Sequence, residues 1–482
     1  MSNSHYYRKD ELIKILDACL NKTLGEVDKN NVFDRTKDQP KITGIAGDVI
    51  EQSVLGYPAD NRQEPDLNVD GVKTELKTTG IKYIKNNTKL VAKEPLSVTA
   101  VSPNKIVYEE FQNSNFWHKL SHLLLVYYLY DSPTPVEAYE YSKFLIKGYQ
   151  FFEFDEEDKE TLKNDWTIVR DFIRYLQNHY ENYEDEYPRI SNELRSRLMY
   201  IDTAPKWPNP PRFRLKRSFL STIVENHFGE DLEQLPGKYT SYSEIDVTCH
   251  NLRNKFKNKS IKEIMQYYNM PLKRVNKAIG EQITVKMFGG NSKKMSGIEL
   301  FKKTGIIGKT ITITERGLRK EDMKFFSINL DEFTEDIEFE DSQFYDFFSN
   351  NQFLCIIFQK PFPEASLIDY KFLGFKRLFF ENEFIEVDVR KCWEDIKYKI
   401  VNNKLKDIPK LDRNGNPRKN KLGNIISAPN FPKSSEGNVF VRGGGSDSNS
   451  KPLEINGISM YYQYAWVKGT YMVEKLEETD FI

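Results

Sequence analysis

Pro65-Asp66-Leu67-Asn68-Val69-Asp70-Gly71-Val72-Lys73-Thr74-Glu75-Leu76-Lys77 sets one carboxylate ahead of a second carboxylate and a lysine two residues apart. If residues 72–78 form a strand, its period of two turns Glu75 and Lys77 to one face and Leu76 to the other. Acid and amine then share one spot while the leucine anchors a core. Asp66, arriving from the preceding turn or strand, reaches the same spot. A hard cation such as Mg²⁺ prefers oxygen ligands, takes one or two protein carboxylates and completes its shell with water and phosphate oxygens. Asp66 and Glu75 suit that role as metal ligands. Such a cation acidifies an attacking water and neutralises charge at phosphorus, and Lys77 adds a positive charge beside the water or the scissile phosphate. Lys77 as a base and Lys77 as a charge stabiliser both stay open. A lysine ordinarily titrates at about 10.4, and a base at neutral pH needs a large depression that carboxylates oppose and a metal favours.

In a chain that is 29% charged, such a spacing also arises by chance, and the competing reading is an edge strand with solvated charges. The surroundings favour the chemistry. Upstream, Gly44-Ile45-Ala46-Gly47-Asp48-Val49-Ile50-Glu51-Gln52-Ser53-Val54-Leu55-Gly56 predicts a helix, with Val49, Ile50, Ser53 and Val54 on the apolar stripe, Glu51 beside it and Gly56 as the stop. Downstream, residues 95–101 alternate like a strand. Phe116-Trp117-His118-Lys119-Leu120 then leads into the apolar run 123–130, which reads as a buried strand.

The order of these parts resembles MutH and the related Sau-type type II restriction endonucleases that cut GATC. The resemblance rests on Gly44, Gly47, Ile50, Glu51 and Gly56, on Pro65, Asp66, Gly71, Val72 and 75–78, and on the Trp117 to Lys119 and Leu120 block. It implies an α/β fold of the restriction-endonuclease type, a mixed sheet flanked by helices, with Asp66, Glu75 and Lys77 as the catalytic triad and Glu51 and Lys119 in support. This chain is two residues longer between Gly71 and Glu75 than the family's usual Gly-Val-Glu-Leu-Lys, which predicts a lengthened or bulged hairpin. Asp70 is the alternative first acid.

With 482 residues, and roughly 150 per domain, the chain has room for several domains. Its 70 basic and 71 acidic residues nearly cancel, so the case for nucleic acid is local rather than global. Cys19, Cys249, Cys355 and Cys392 form no metal-spaced cluster and are expected as reduced thiols. The polar N-terminus and the lack of any membrane-length apolar run predict a cytoplasmic protein with no membrane partner, and the resemblance implies a bacterial one.

The expected division is a catalytic domain over 1–225, a linker over 226–238 and a second domain over 239–482. The first half ends near Thr203-Ala204-Pro205-Lys206-Trp207-Pro208-Asn209-Pro210-Pro211-Arg212, rich in proline and positive charge. It reads either as a rigid connector or as a DNA-contacting loop, since fixed backbone with Lys and Arg suits phosphate contact and guanine reading. By resemblance, Pro205 and Lys206 match the pair that enters the DNA groove, with Arg212 nearby. Ala204 stands where MutH has an arginine. In the second half, Gly305-Ile306-Ile307-Gly308-Lys309-Thr310-Ile311 echoes Gly71-Val72-Lys73-Thr74-Glu75-Leu76-Lys77. Aligned on the first glycine, Lys309 replaces Glu75 and Ile311 replaces Lys77. The Sau-type enzymes resemble the whole chain, and they imply a second MutH-like domain that is catalytically degenerate and binds DNA. Lys433, Ser434, Ser435 and Arg442 are its expected DNA contacts, because small residues beside an arginine allow close approach to phosphate.

The resemblance implies a type II restriction endonuclease that hydrolyses both strands of double-stranded DNA at GATC with Mg²⁺, leaving 5′-phosphate ends. The C-terminal domain binds a second site. One triad per chain means that cutting two strands requires pairing of chains on DNA or repositioning of one. A cognate methyltransferase belongs to the same system, with no direct contact implied. The runners-up are a MutH-like strand-nicking repair endonuclease and a non-cleaving GATC-binding protein.

Overall fold

A computed structural model describes the chain except for residues 1–4, 41, 58–63, 85–87, 133–135, 205–209, 273–274, 315, 319–320, 335–336, 421–422, 424 and 446–450. It is a mixed α/β protein whose contacts separate into two compact units. The first contains Met1–Ser132, Val136–Thr248 and Thr284–Ile307; the second contains Cys249–Ile283 and Gly308–Ile482. The units therefore do not part at the expected linker 226–238. The Lys303 ammonium pairs with Asp158 at 2.9 Å and the Ser218 hydroxyl donates to the Lys303 carbonyl at 3.1 Å, tying residues from both sides of that segment together within the first unit.

In the first unit a six-stranded mixed sheet is built from β1 (Tyr6–Tyr7), β2 (Leu67–Val69), β3 (Val72–Ile84), β4 (Lys89–Ala92), β6 (Leu123–Leu129) and β7 (Leu145–Phe152). The order is β1-β2-β3-β6-β7, with β4 also paired to β3. A smaller sheet contains β5 (Leu96–Ala100), β8 (Ile201–Asp202) and β9 (Arg212–Leu215) in the order β5-β9-β8. β3 runs antiparallel to β2 and parallel to β6. All seven residues of β6 are buried, as its apolar run predicts for a strand covered on both faces. Leu76 packs with Leu124, Val126, Val49, Ile50, Leu12 and Leu16 in one core cluster. Burial of a leucine of this kind contributes about 1.5–3 kcal/mol, and it fixes which face of β3 turns outward.

The β2–β3 hairpin closes through Asp70 and Gly71, whose φ values of 49° and 91° lie in the left-handed region. An Asp-Gly pair tolerates that backbone, and two left-handed central residues match the twist of paired strands. Val69 faces Val72, Asn68 faces Lys73 and Leu67 faces Thr74 without a shift of register. The extra length before Glu75 thus lengthens the hairpin and produces no bulge.

The small sheet is fixed by a buried carboxylate. Asp165, on the helix Glu156–His179, accepts the main-chain N–H groups of Met199 (2.8 Å), Tyr200 (2.7 Å) and Ile201 (3.2 Å). Burial pushes its carboxyl up to about 6 against those bonds and the nearby Lys216 ammonium. Burial likewise pulls Lys216 down to about 8, opposed by Asp165 and Asp202. The Lys216 ammonium donates to the Leu198 carbonyl. Residues 154–160 include the start of this helix, with the Asp155 carboxylate accepting the Asp158 N–H, an ordinary N-cap.

The second unit contains a four-stranded sheet in the order β11-β10-β13-β14, formed by β10 (Ile306–Thr314), β11 (Gly317–Leu318), β13 (Gln352–Gln359) and β14 (Lys371–Leu378). The unit boundary passes through β10 after Ile307. A three-stranded sheet joins β12 (Met323–Ser327), β17 (Val439–Gly444) and β20 (Tyr462–Val467). Two hairpins complete the unit, β15 (Asp407–Pro409) with β16 (Ser427–Pro429) and β18 (Leu453–Ile455) with β19 (Ile458–Met460). The stretch 344–358 lies in the helix Gln343–Asn350 and in β13.

Local geometry repeats between the two units. The pairing of β6 with β7 shifts register directly after Tyr127 opposite Gly148, and that of β13 with β14 directly after Ile357 opposite Gly374. The Tyr130 N–H donates to the Ile81 carbonyl at 2.8 Å, and the Lys360 N–H to the Ile313 carbonyl at 2.8 Å. Ser114 accepts from the Trp117 N–H and donates to the Phe111 carbonyl; Ser342 accepts from the Tyr345 N–H and donates to the Phe339 carbonyl. All four cysteines are buried free thiols. No helix among the described residues is long and apolar enough to cross a membrane.

Candidate active site

Glu75 is 1% exposed, yet it lies between two ammonium groups. Lys77 Nζ is 2.7 Å from Oε1, and Lys119 Nζ is 2.9 Å from Oε1 and 3.2 Å from Oε2. Strand period brings Lys77 there. Lys119 comes from the C-terminal cap of the short helix Asn115–His118, directly ahead of β6. Asp66 precedes β2, and extending the hairpin register by one pair sets it opposite Glu75. Its carboxylate accepts the Leu76 N–H at 3.0 Å, and its carbonyl oxygen lies 2.8 Å from His5 Nδ1. Burial and the Glu75 charge raise the Asp66 carboxyl, offset by Lys77, Lys119 and the Leu76 N–H.

Glu51 lies on the expected helix, in two parts: an α-helical turn, Ile45–Val49, and a π-helical segment, Ile50–Leu55, ended by Gly56 at φ 79°. The wider π turn is a departure of the kind found at functional sites. Burial, then Asp66 and Asp48, push the Glu51 carboxyl up to about 7, with Lys77 acting against them. Asp70 is elsewhere: at the hairpin tip its carboxylate accepts the Lys9 N–H at 3.1 Å. Asp66, and not Asp70, accompanies Glu75.

Two carboxylates suit a hard cation that keeps most of its water. Among the described residues no group of three His, Cys, Asp or Glu is placed to hold a metal, so a closed cage of the structural-zinc kind is not formed. Asp66 and Glu75 would hold a divalent cation, whose chemistry is to acidify water and neutralise charge on a phosphate. The Glu51 carboxyl feels the charge of both carboxylates. Lys77 and Lys119 can pass from Glu75 to phosphate oxygens.

The other expected contacts are dispersed. Pro205 and Lys206 lie outside the described residues. Arg212 opens β9, exposed, with its N–H on the Ala204 carbonyl at 3.0 Å, at the foot of the 205–209 segment. Lys433 and Ser435 are exposed and Ser434 half-buried, ahead of β17. The Lys433 N–H donates to the Glu436 carboxylate at 2.6 Å. Arg442, on β17, is paired with Asp322 at 2.7 Å and stacks over Trp466 at 4.7 Å.

The geometric repeat also corrects the alignment of the echo. A Cβ on Gly47 would meet Thr78 Oγ1 at 3.4 Å, and one on Gly280 would meet Thr310 Oγ1 at 2.4 Å. Matching Thr78 with Thr310 and Ile81 with Ile313 sets Lys309 at the position of Lys77, not of Glu75, and puts Ile307 where Glu75 stands. The same reading runs through the helices: Gly47, Ile50, Glu51 and Gly56 match Gly280, Ile283, Thr284 and Gly289. Phe111, Ser114 and Phe116 match Phe339, Ser342 and Phe344, which places Phe347 at the position of Lys119. Two residues near the site went unnoticed in the sequence, His5 and Tyr57, because neither belongs to a charge motif or an apolar period.

A nuclease class emerges from comparison with known proteins: residues 55–165 match the family model described as DNA mismatch repair enzyme MutH. That span begins after Glu51 and contains Asp66, Glu75, Lys77 and Lys119. Over 477 residues the chain is 25% identical to the type II restriction enzyme Sau3AI of Staphylococcus aureus, an alignment covering 90% of this chain and 92% of that enzyme. Together the two matches support a likeness to the MutH/Sau3AI-type restriction endonucleases.

Proposed function

We propose that this chain is a type II restriction endonuclease, a site-specific deoxyribonuclease that cleaves both strands of double-stranded DNA at GATC by Mg²⁺-dependent hydrolysis to 5′-phosphate ends. The observation that carries the reading is the Asp66–Glu75 pair across the β2–β3 hairpin, with Lys77 and Lys119 both on Glu75. Asp66 and Glu75 hold the cation, Glu51 orients the water, and Lys77 and Lys119 stabilise charge on the phosphate. The GATC assignment rests on the family resemblance. Recognition is assigned to Pro205, Lys206 and Arg212 in the catalytic domain.

The C-terminal domain is a MutH-like pseudo-nuclease that binds a second site through Lys433, Ser434, Ser435 and Arg442. Its degeneracy is supported by Thr284, Ile307 and Phe347 at the positions of Glu51, Glu75 and Lys119. Arg442 must leave Asp322 to meet a phosphate. Because each chain has one active triad, two chains pair on DNA to cut both strands.

Supercoiled plasmid incubated with the protein and Mg²⁺, followed by sequencing of the ends, tests the reading. Linear fragments ending at GATC support it. Accumulating nicked circles would instead indicate a MutH-like strand-nicking enzyme, and a shifted but uncut plasmid a non-cleaving reader.

A further inference from the structure

Tyr57 follows the stop of the helix that carries Glu51. The Glu51 carbonyl accepts both the Gly56 N–H and the Tyr57 N–H, the latter at 3.2 Å. This closure folds Tyr57 back over the turn bearing Glu51, in the manner of a helix ended by a left-handed residue. The side chain is 3% exposed, and its hydroxyl has no hydrogen-bond partner among the described residues. A buried hydroxyl without an acceptor is costly and calls for a reason. Packing gives none, because a phenylalanine would fill the same space.

The surroundings supply one. Burial raises the Tyr57 pKa far above the ordinary value, and the Glu51 and Asp66 charges add to it. Tyr57 is therefore a neutral donor that feels the charge of two carboxylates. Its ring rests against His5, with centroids 4.6 Å apart. His5 also reaches the Asp66 carbonyl at 2.8 Å through Nδ1, and its own carbonyl accepts the Asn68 N–H at 2.8 Å. One residue of the N-terminal strand region thus holds both the Tyr57 ring and the backbone of the first acid.

We propose that Tyr57 is a positioning residue of the cleavage site, whose hydroxyl donates a hydrogen bond to the Glu51 carboxylate when a divalent cation occupies the Asp66–Glu75 site. The inference rests on the nuclease reading of that site. Glu51 is the acceptor because its main chain is already fixed to Tyr57 and because its carboxylate has free lone pairs once ionised. The donor then sets the direction in which Glu51 faces the cation's water. Residues outside a metal's ligand shell that orient those within it act in this way.

The test is Mn²⁺ binding to the full-length chain without DNA, read by the electron paramagnetic resonance of free Mn²⁺, alongside thermal unfolding and plasmid cleavage. Tyr57→Phe is expected to weaken Mn²⁺ binding by about 10- to 100-fold and to slow cleavage, with a Tm equal to or above that of the natural chain. In a Glu51→Gln background the same change is expected to add nothing further, since the two groups act as one. Unchanged Mn²⁺ affinity in Tyr57→Phe, or a full additional loss in the double variant, overturns the inference. Glu75→Ala separates the two levels: if it binds Mn²⁺ as the natural chain does, the nuclease reading itself fails. If it loses Mn²⁺ while Tyr57→Phe keeps it, only the role of Tyr57 fails.

Discussion

The Asp66 carboxylate accepts the Leu76 main-chain N–H at 3.0 Å, so the first acid is fastened to the strand that presents the second. Leu76 in turn is anchored in the core. The spacing between the two acids is thus set by backbone and by burial, and removal of one carboxylate leaves the frame standing.

Glu75→Ala is therefore expected to abolish cleavage while preserving specific DNA binding, measured in Ca²⁺ to separate the steps. Lys77 and Lys119 lose their shared acceptor and turn to phosphate. Without divalent cation, binding is expected to tighten, and its dependence on salt to steepen by up to about two counterions. Titration of a labelled GATC duplex at several salt concentrations checks this; a slope equal to that of the natural chain would remove the lysines from the DNA surface.

The pH dependence follows from Glu51, whose carboxyl is raised to about 7. Below that pH the group is protonated, and a cation bound nearby must displace the proton. Divalent-cation affinity is expected to rise with pH toward about 7 and then level, by up to about tenfold per unit for one proton. Without cation the sign for stability is opposite. A raised carboxyl binds more protons folded than unfolded, so its contribution falls as pH climbs from the ordinary carboxyl value of 4.5 to about 7. Glu51→Gln is expected to flatten both profiles, as followed by calorimetric titration with Ca²⁺ and by thermal unfolding.

Asp165→Ala is expected to be among the most damaging single changes, by about 3–5 kcal/mol. It strands the Met199, Tyr200 and Ile201 N–H groups and leaves the buried Lys216 ammonium with Asp202 as its remaining carboxylate. Denaturant unfolding measures the loss. Asp165→Asn, which keeps one acceptor, is expected to fall between the two.

Gly47 and Gly280 occupy matching places, yet alanine should act oppositely at each. At Gly47 the added Cβ meets Thr78 in ordinary contact, and helix propensity favours alanine by up to about 1 kcal/mol. At Gly280 it collides with Thr310 at 2.4 Å, and overpacking of this kind costs about 1–3 kcal/mol. The Tm values of the two single variants decide the matter.

The sequence shows most of the site because its residues lie on elements with strong periods. Alternation in 72–78 foretells the face shared by Glu75 and Lys77, and the apolar run 123–130 foretells β6. The two-residue extension was open between longer and bulged strands, because only pairing tells whether both strands extend together. The echo near Lys309 was misaligned for a related reason. A glycine match fixes one point in sequence, whereas register is set by contacts such as Gly280 with Thr310 and Lys360 with Ile313 that are far apart along the chain. Tyr57 and His5 were invisible because their importance lies in a hydroxyl without an acceptor and a ring contact across 52 positions, and composition carries neither.

The unbulged β2–β3 hairpin has a consequence for redesign. Since its strands stay paired up to the Asp70-Gly71 tip, length can be added there in steps of two residues per strand without rotating Glu75 away from its lysines. The tip is braced to the start of the first helix by Asp70 on the Lys9 N–H, so a tag or reporter inserted there is carried on a held end and not on a loose loop.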